Sequence, residues 1–158
     1  MVIKNIIEED FINYCKPSMF IAFPYCTFKC EKDCGIQCCQ NNKLVLSQNI
    51  DINIDVVVKH YVDNHITKAV VCGGLEPFDS FDDLYNFISA LRAASQDDVV
   101  IYTGYYEHEI VSQIEILKSS FSNIIVKFGR FIPNLEGIYD ATIGVMLASK
   151  NQYAKKIS

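Results

Sequence analysis

The stretch "MFIAFPYCTFKC", from Met19 to Cys30, joins an apolar run to a pair of cysteines. The run from Met19 to Pro24 contains no polar residue and ends at a proline, which is typical of a short buried strand. Cys26 and Cys30 follow it, with three residues between them. The stretch therefore predicts a buried strand that leads directly into a cysteine-bearing loop.

Outward from this stretch, apolar strands alternate with amphipathic helices. The predicted strands cover residues 68–74, 98–104 and 123–129, and the predicted helices cover 54–65, 81–95 and 107–121. Ser80 is expected to cap the second of these helices, with Asp83 completing a capping box. Helices that alternate with short apolar strands indicate parallel βαβ units, so the predicted fold is an α/β domain with a mostly parallel sheet.

Length and composition indicate one domain. The chain has 158 residues, half of them hydrophobic, so a sizeable core is expected and residues 1–158 are interpreted as a single domain. The net charge of −5 argues against a nucleic-acid or membrane-surface partner, since phosphate contacts need clustered Lys and Arg. The acidic N-terminal segment shows no signal-peptide pattern and no apolar run reaches membrane-spanning length, so we expect a cytoplasmic location.

Five of the seven cysteines lie between residues 26 and 39. Thiols are mostly reduced in the cytoplasm, so such a cluster indicates metal binding rather than a disulfide framework. Structural zinc sites commonly use CxxC pairs, and the chain contains none. Iron–sulfur clusters accept thiolates at more varied spacings. An iron–sulfur cluster is therefore the preferred interpretation, and a non-catalytic, zinc-stabilised interaction module is the alternative.

Three predicted strands end in residues suited to a binding site. Cys26 follows the first strand, Gly73 and Gly74 end the second, and Thr103 follows the third. The carboxyl ends of parallel strands meet at one edge of a sheet, where α/β proteins usually place their sites. We therefore expect these residues to face one pocket.

Four short motifs occur in order between residues 19 and 152. They are Cys26-x-x-x-Cys30 with a later Cys39-Gln-Asn41, Gly-Gly-Leu-Glu-Pro at 73–77, Tyr-Thr-Gly-Tyr at 102–105, and Gly-Arg-Phe at 129–131 followed by Ser-Lys-Asn-Gln at 149–152. Together they resemble the radical S-adenosylmethionine (SAM) superfamily. Within it, the chain is similar to the small activating proteins of glycyl-radical enzymes, particularly that of anaerobic ribonucleoside-triphosphate reductase.

The cysteine loop departs from the CxxxCxxC spacing of that superfamily. After Cys30 the next cysteine is Cys34, one residue too late, while the Cys-x-Asn match lies at Cys39. Cys39 is the preferred third ligand, because a helix is expected to begin at the asparagine that follows it, and Cys34 is the alternative. Cys38 has no assigned role. Leu75, an extra residue in its motif, and Phe128, which replaces an acidic residue, are two further departures.

The resemblance implies a shortened, open radical SAM partial barrel that binds a [4Fe–4S] cluster through three cysteines. SAM would bind at the iron left open, with Gly73, Gly74, Glu76, Tyr102 and Thr103 as cofactor-binding residues. Reductive cleavage of SAM would then give methionine and a 5′-deoxyadenosyl radical. The cluster and SAM, rather than a protein side chain, would carry this chemistry.

The resemblance also implies the partners. The radical would abstract hydrogen from a backbone glycine of a glycyl-radical enzyme, an anaerobic ribonucleotide reductase, and a flavodoxin or ferredoxin would supply the electron. Within the superfamily, the alternative is an enzyme that acts on a small molecule, similar to 7-carboxy-7-deazaguanine synthase.

Overall fold

A computed structural model describes residues 1–158, which form ten strands and five α-helices. The strands are β1 (Val2–Ile3), β2 (Asn5–Asp10), β3 (Ser18–Phe23), β4 (Ile50–Asp51), β5 (Ala69–Gly74), β6 (Asp98–Tyr102), β7 (Ile124–Phe128), β8 (Ile138–Asp140), β9 (Val145–Leu147) and β10 (Tyr153–Lys156). The helices are α1 (Lys29–Cys34), α2 (Asn42–Val45), α3 (Ile54–Asp63), α4 (Phe81–Arg92) and α5 (Val111–Ser120), and short 3₁₀ helices cover Pro77–Ser80 and Glu107–Glu109. No helix is both long enough and apolar enough to cross a membrane.

Six strands form the central sheet, in the order β10-β7-β6-β5-β3-β2. The inner four strands, β3, β5, β6 and β7, pair in parallel, and the two edge strands are antiparallel to their neighbours. The prediction of an α/β fold with a mostly parallel sheet is therefore confirmed. The smaller pairs β1-β4 and β8-β9 lie outside this sheet.

Both faces of the inner strands are buried, which explains their nearly continuous apolar sequences. On one face, Ile21, Cys72 and Ile101 pack with α3, α4 and α5 in the main core. On the other, Val71 and Val100 join a smaller core that includes Leu147 of β9. Each large side chain that is fully buried contributes about 1.5–3 kcal/mol, so most of the stability comes from these two layers.

The predicted strands and helices are present, with shifts at their ends. The first two helices end two to three residues earlier than predicted, and the third begins with a 3₁₀ turn at Glu107–Glu109 before α5. α2 begins at Asn42, where the sequence placed a helix start. The elements that were not predicted are α1 and the strands β1, β2, β4, β8, β9 and β10. Their sequences are short, and β2 and β10 are mostly exposed, so they show little apolar patterning.

Ser80 lies at the predicted N-cap position of α4, but its side chain makes no capping hydrogen bond. The 3₁₀ helix Pro77–Ser80 runs directly into α4, so Ser80 does not lie at an open helix start, and its buried hydroxyl has no hydrogen-bond partner. Asp83 does not complete a capping box either. Its Oδ2 instead accepts a hydrogen bond of 2.9 Å from the amide of Val2, which fixes the N-terminal strand against α4.

Candidate functional site

A cavity of about 350 Å³ opens at the carboxyl ends of the parallel strands. It is bordered by the cysteine loop after β3, by residues 73–76 at the end of β5 and by residues 102–104 at the end of β6. The strand order places these three segments side by side, as their positions at strand ends predict. Lys127 and Gln152 complete the polar part of the wall.

Three of the five clustered cysteines border the cavity, namely Cys26, Cys30 and Cys39. Cys26 lies on the extended segment after β3, where its Sγ accepts a hydrogen bond of 3.2 Å from the amide of Phe28. Cys30 lies in the first turn of α1. The amide of Cys39 donates to Glu31 Oε1 at 3.1 Å, so its backbone is held against the same helix.

The other two cysteines of the loop, Cys34 and Cys38, do not border the cavity. Their Sγ atoms are 2.9 Å apart, and they contact each other. Burial and the hydrogen bond with Cys34 raise the pKa of Cys38 to about 12. Among the candidate third ligands, Cys39 and not Cys34 is therefore brought to the cavity with Cys26 and Cys30.

Burial affects the acidity of the thiols at the cavity. Burial raises the pKa of Cys26 to about 12, and it also raises the pKa of Cys30. A metal deprotonates a coordinating thiol outright, so these thiols become strong ligands only with iron present. In zinc sites, the distance from the metal to each cysteine sulfur is about 2.3 Å. No group of three or more His, Cys, Asp or Glu side chains lies close enough together to hold a metal ion in this structure.

The glycine motif brings backbone to the cavity wall. Gly74 has φ +83°, and a Cβ at this position would lie 2.7 Å from the Cα of Ala22. The amide of Leu75 donates to Phe23 O at 3.2 Å and the amide of Glu76 donates to Tyr25 O at 2.7 Å. The segment that contains the extra residue Leu75 therefore continues the backbone pairing with the end of β3 and the residues after it. The side chain of Asn41 donates to Gly74 O, which links the end of the cysteine loop to this wall.

Glu76 is a buried carboxylate at the cavity, with 4% of its surface exposed. It accepts hydrogen bonds from the amide of Gly104 at 2.8 Å and from the amide of Phe78 at 3.2 Å. Burial raises the pKa of Glu76 to about 7, the hydrogen bonds oppose this shift, and the charge of Asp79 adds to it. A cationic group placed here would be attracted to the ionised form.

This pKa gives a testable pH dependence. Because the folded pKa of Glu76 lies above its ordinary value of 4.5, its contribution to stability is present below pH 4.5 and is lost as the pH rises to about 7. We expect Glu76→Gln to remove up to about 3 kcal/mol of the decline in unfolding free energy over this range. Urea unfolding of the iron-free protein at several pH values measures it. If the unfolding free energies of the wild type and the variant changed equally with pH, the pKa of the Glu76 carboxyl would not be raised.

The remaining predicted residues, Tyr102 and Thr103, both border the cavity. The Tyr102 hydroxyl donates to Asn13 O at 2.7 Å, so this ring spans from β6 to the segment after β2. Thr103 is 2% exposed, and its Oγ1 accepts a hydrogen bond of 2.9 Å from the amide of Tyr105. Hydrogen bonds to the backbone therefore hold both side chains in place at the cavity wall.

Lys127 borders the cavity but was not predicted as a site residue. It lies in β7, 7% exposed, and its ammonium donates to Gly129 O at 3.1 Å. Burial lowers the pKa of Lys127 to about 8, against the opposing charge of Glu76. The sequence feature that could have indicated this role is a single lysine inside the apolar run "NIIVKFG". It lies on the strand face opposite Val126 and Phe128.

The C-terminal motif closes one side of the cavity. Gln152 is 6% exposed, and its side-chain amide donates to Gly129 O at 3.1 Å while its Oε1 accepts from the amide of Ser149. Asn151 donates to Arg130 O at 2.8 Å. These contacts join residues 149–152 to the turn after β7.

Arg130, in the turn after β7, anchors the helix of the cysteine loop. Its guanidinium makes two hydrogen bonds to Glu109, at 2.7 and 2.8 Å, and its Nε lies 2.7 Å from Asp33 of α1. Lys29 of α1 is 3.0 Å from the same Glu109 carboxylate. The hydrogen bonds from Arg130 lower the pKa of Glu109 to about 2. The cluster of charges therefore holds α1, and with it Cys30, against the end of the sheet.

We expect Arg130→Met to lower the unfolding free energy by roughly 3 kcal/mol, because it removes one member of a buried ion pair. The Arg130 side chain is only 6% exposed, so water cannot replace it easily. Lys155→Met is a matched control, because its ion pair with Glu107 is exposed and should contribute at most about 1 kcal/mol. Urea unfolding measures both changes, and equal losses would contradict the anchoring role.

Comparison with known proteins gives one match. Residues 16–142 match a family model described as a 4Fe-4S single cluster domain. The matched region contains all five cysteines of the loop and the four parallel strands. No curated protein and no solved structure matches the chain.

Proposed function

The chain belongs to the 4Fe-4S single cluster domain family, and from this premise we propose that it is a radical SAM activating enzyme. The proposed task is to generate a glycyl radical on a partner enzyme, an anaerobic ribonucleotide reductase. The family supports an iron–sulfur protein and favours a cluster over the zinc alternative. The proposal includes radical SAM activity and a fold related to the radical SAM partial barrel. It also includes a flavodoxin or ferredoxin as the electron donor.

The observation that carries the proposal is the set of thiols at the cavity. Ordinary [4Fe–4S] sites use four cysteines. Here Cys26, Cys30 and Cys39 border the cavity, while Cys34 and Cys38 face each other outside it. Three thiolates would leave one iron without a protein ligand and open to the cavity. When bound, the cluster would supply the electron that cleaves a carbon–sulfur bond of SAM.

The other residues of the cavity suit a sulfonium amino acid. Gly73 and Gly74 have no side chains, so a ligand can approach the backbone closely. Glu76 offers a buried carboxylate to an ammonium group, and a charge-assisted hydrogen bond of this kind contributes about 1.5–3 kcal/mol. Glu76→Gln should therefore weaken SAM binding by roughly 10- to 100-fold without changing the iron content.

The mouth of the cavity suits a substrate carried by another protein. Ile12 and Met146 border the cavity, and 77% and 65% of their respective surfaces are exposed. Exposed apolar side chains beside an open site are typical of a surface that another protein covers. A loop of the partner that carries the target glycine could reach the cavity from this side.

The test is co-expression with an anaerobic ribonucleotide reductase, followed by electron paramagnetic resonance (EPR) spectroscopy. A glycyl-radical doublet on the reductase is the expected result, and it should be absent with Cys26→Ala. Absence of the doublet with an intact cluster, bound SAM and a functional electron donor would overturn the proposed activity.

A second candidate is a radical SAM enzyme that acts on a small molecule, and Lys127 favours it. A buried ammonium with one hydrogen bond to a backbone carbonyl can still donate hydrogen bonds to an anionic group of a ligand. The two candidates differ in what receives the radical. SAM cleavage that leaves the reductase without a doublet would favour the second.

A further inference from the structure

The cysteine loop holds a thiol pair that the proposed cluster site does not use. Cys34 and Cys38 lie outside the cavity, and their sulfur atoms are 2.9 Å apart. We propose that this pair is a second redox site, a dithiol that small-molecule disulfides oxidise reversibly to an intramolecular disulfide. The proposal does not depend on the radical SAM activity.

The distance between the two sulfur atoms carries the proposal. A disulfide bond is about 2.05 Å long, so the sulfurs must approach by less than about 1 Å to form one. Both cysteines are free and partly exposed, so a small molecule can reach them. The sulfur of Cys34 also lies 3.3 Å from the carbonyl oxygen of Ile36, which fixes this thiol above the turn that joins the pair.

The backbone between the two cysteines allows the closure. Cys34 ends α1, and Gly35 turns the chain back with φ +70°. A Cβ at Gly35 would meet no atom within 4 Å, so the turn has open space around it. Residues 35–37 are exposed, and none of them is part of the core. The turn can therefore tighten without disturbing packed residues.

The reaction is thiol–disulfide exchange and is balanced. The thiolate of one cysteine attacks glutathione disulfide, forms a mixed disulfide and releases one glutathione thiolate. The second cysteine then attacks the mixed disulfide and releases the other glutathione. The two protein thiols lose two electrons and two protons, and the disulfide gains them as two glutathione thiols.

A disulfide at this position would constrain the third candidate ligand. Cys38 directly precedes Cys39, whose amide is held by Glu31 of α1. Oxidation would close a ring of five residues that ends one residue before Cys39. The redox state of the pair would thus limit the motion of the segment that brings Cys39 to the cavity.

The experiment treats the anaerobically reconstituted protein with glutathione disulfide at about pH 8, near the ordinary pKa of a thiol. Acid quenching, alkylation and mass spectrometry of peptide 33–43 then locate each modification. In the wild type we expect a Cys34–Cys38 disulfide, an alkylated Cys39 and an unchanged iron content before the quench. Cys15 is exposed and lies outside the cysteine loop, so it is an internal control that should carry a stable glutathione adduct.

Single variants give the sharpest test. With Cys34→Ser, no resolving thiol remains, and Cys38 should accumulate the glutathione adduct that is absent in the wild type. Stable adducts on both cysteines of the wild type, or a modified Cys15 with an unmodified pair, would overturn the proposal. A disulfide that includes Cys39, or one that forms only as iron is lost, would overturn it too. Iron loss in Cys34→Ser would instead contradict the ligand assignment, and the proposed function is judged separately by the EPR doublet.

Discussion

Replacing Cys39 with alanine is expected to abolish cluster binding, and Cys26→Ala and Cys30→Ala should do the same. Each change removes one of the three thiols that border the cavity, and two thiolates are too few to hold a [4Fe–4S] cluster firmly. Iron and sulfide should fall from about four of each per chain to near zero after anaerobic reconstitution. The absorbance of the cluster in the visible range should disappear with them.

Cys34→Ala and Cys38→Ala are the matched controls for this prediction. They remove the same chemical group from the same loop, but the two thiols contact each other rather than the cavity. Both variants should retain the iron content of the wild type. If Cys34→Ala emptied the site while Cys39→Ala left it filled, the third ligand would be Cys34, and the loop would have to rearrange when it binds the cluster.

Gly74→Ala is expected to lower the unfolding free energy by about 3 kcal/mol or more. The backbone there has φ +83°, which costs an L residue roughly 1–2 kcal/mol. The added Cβ would also lie 2.7 Å from the Cα of Ala22, a backbone atom of β3 that cannot move aside, and overpacking of this kind costs about 1–3 kcal/mol. Urea unfolding of the iron-free protein measures the loss.

Gly35→Ala separates these two causes. Gly35 also has a positive φ, of +70°, but a Cβ there would meet no atom within 4 Å. This variant should therefore show the backbone cost alone, about 1–2 kcal/mol. Equal losses in the two variants would show that the close approach of β5 to β3 does not restrict residue 74.

The sequence predicted the parallel part of the sheet because its strands are buried on both faces. Residues 68–74 and 98–104 each contain four consecutive apolar residues, and the helices between them have one apolar side. The edge strands β2 and β10 were missed because they are exposed and carry many polar residues. Ser80 is the N-cap residue of α4 without a capping hydrogen bond, because a 3₁₀ helix runs directly into α4 there, and the local sequence does not distinguish this continuous segment from an open helix start.

Within the site, residues on adjacent strand ends could be predicted, since parallel strands bring their carboxyl ends together. Lys127 could not be assigned, because the face on which a strand residue lies depends on the register of the whole sheet. The ion pair between Arg130 and Glu109 joins residues 21 positions apart through tertiary structure, and no local pattern indicates it. The choice between Cys34 and Cys39 likewise needed the course of α1 and the turn that follows it.

The most direct test of the account is the iron and sulfide content of the wild-type protein after reconstitution without air, combined with EPR spectroscopy of the reduced sample. We expect about four irons and four sulfides per chain, and an EPR signal that changes when SAM is added. A protein that stays colourless and iron-free, or that holds one zinc ion in place of iron, would contradict the claim that three thiols at this cavity hold a cluster with one open iron.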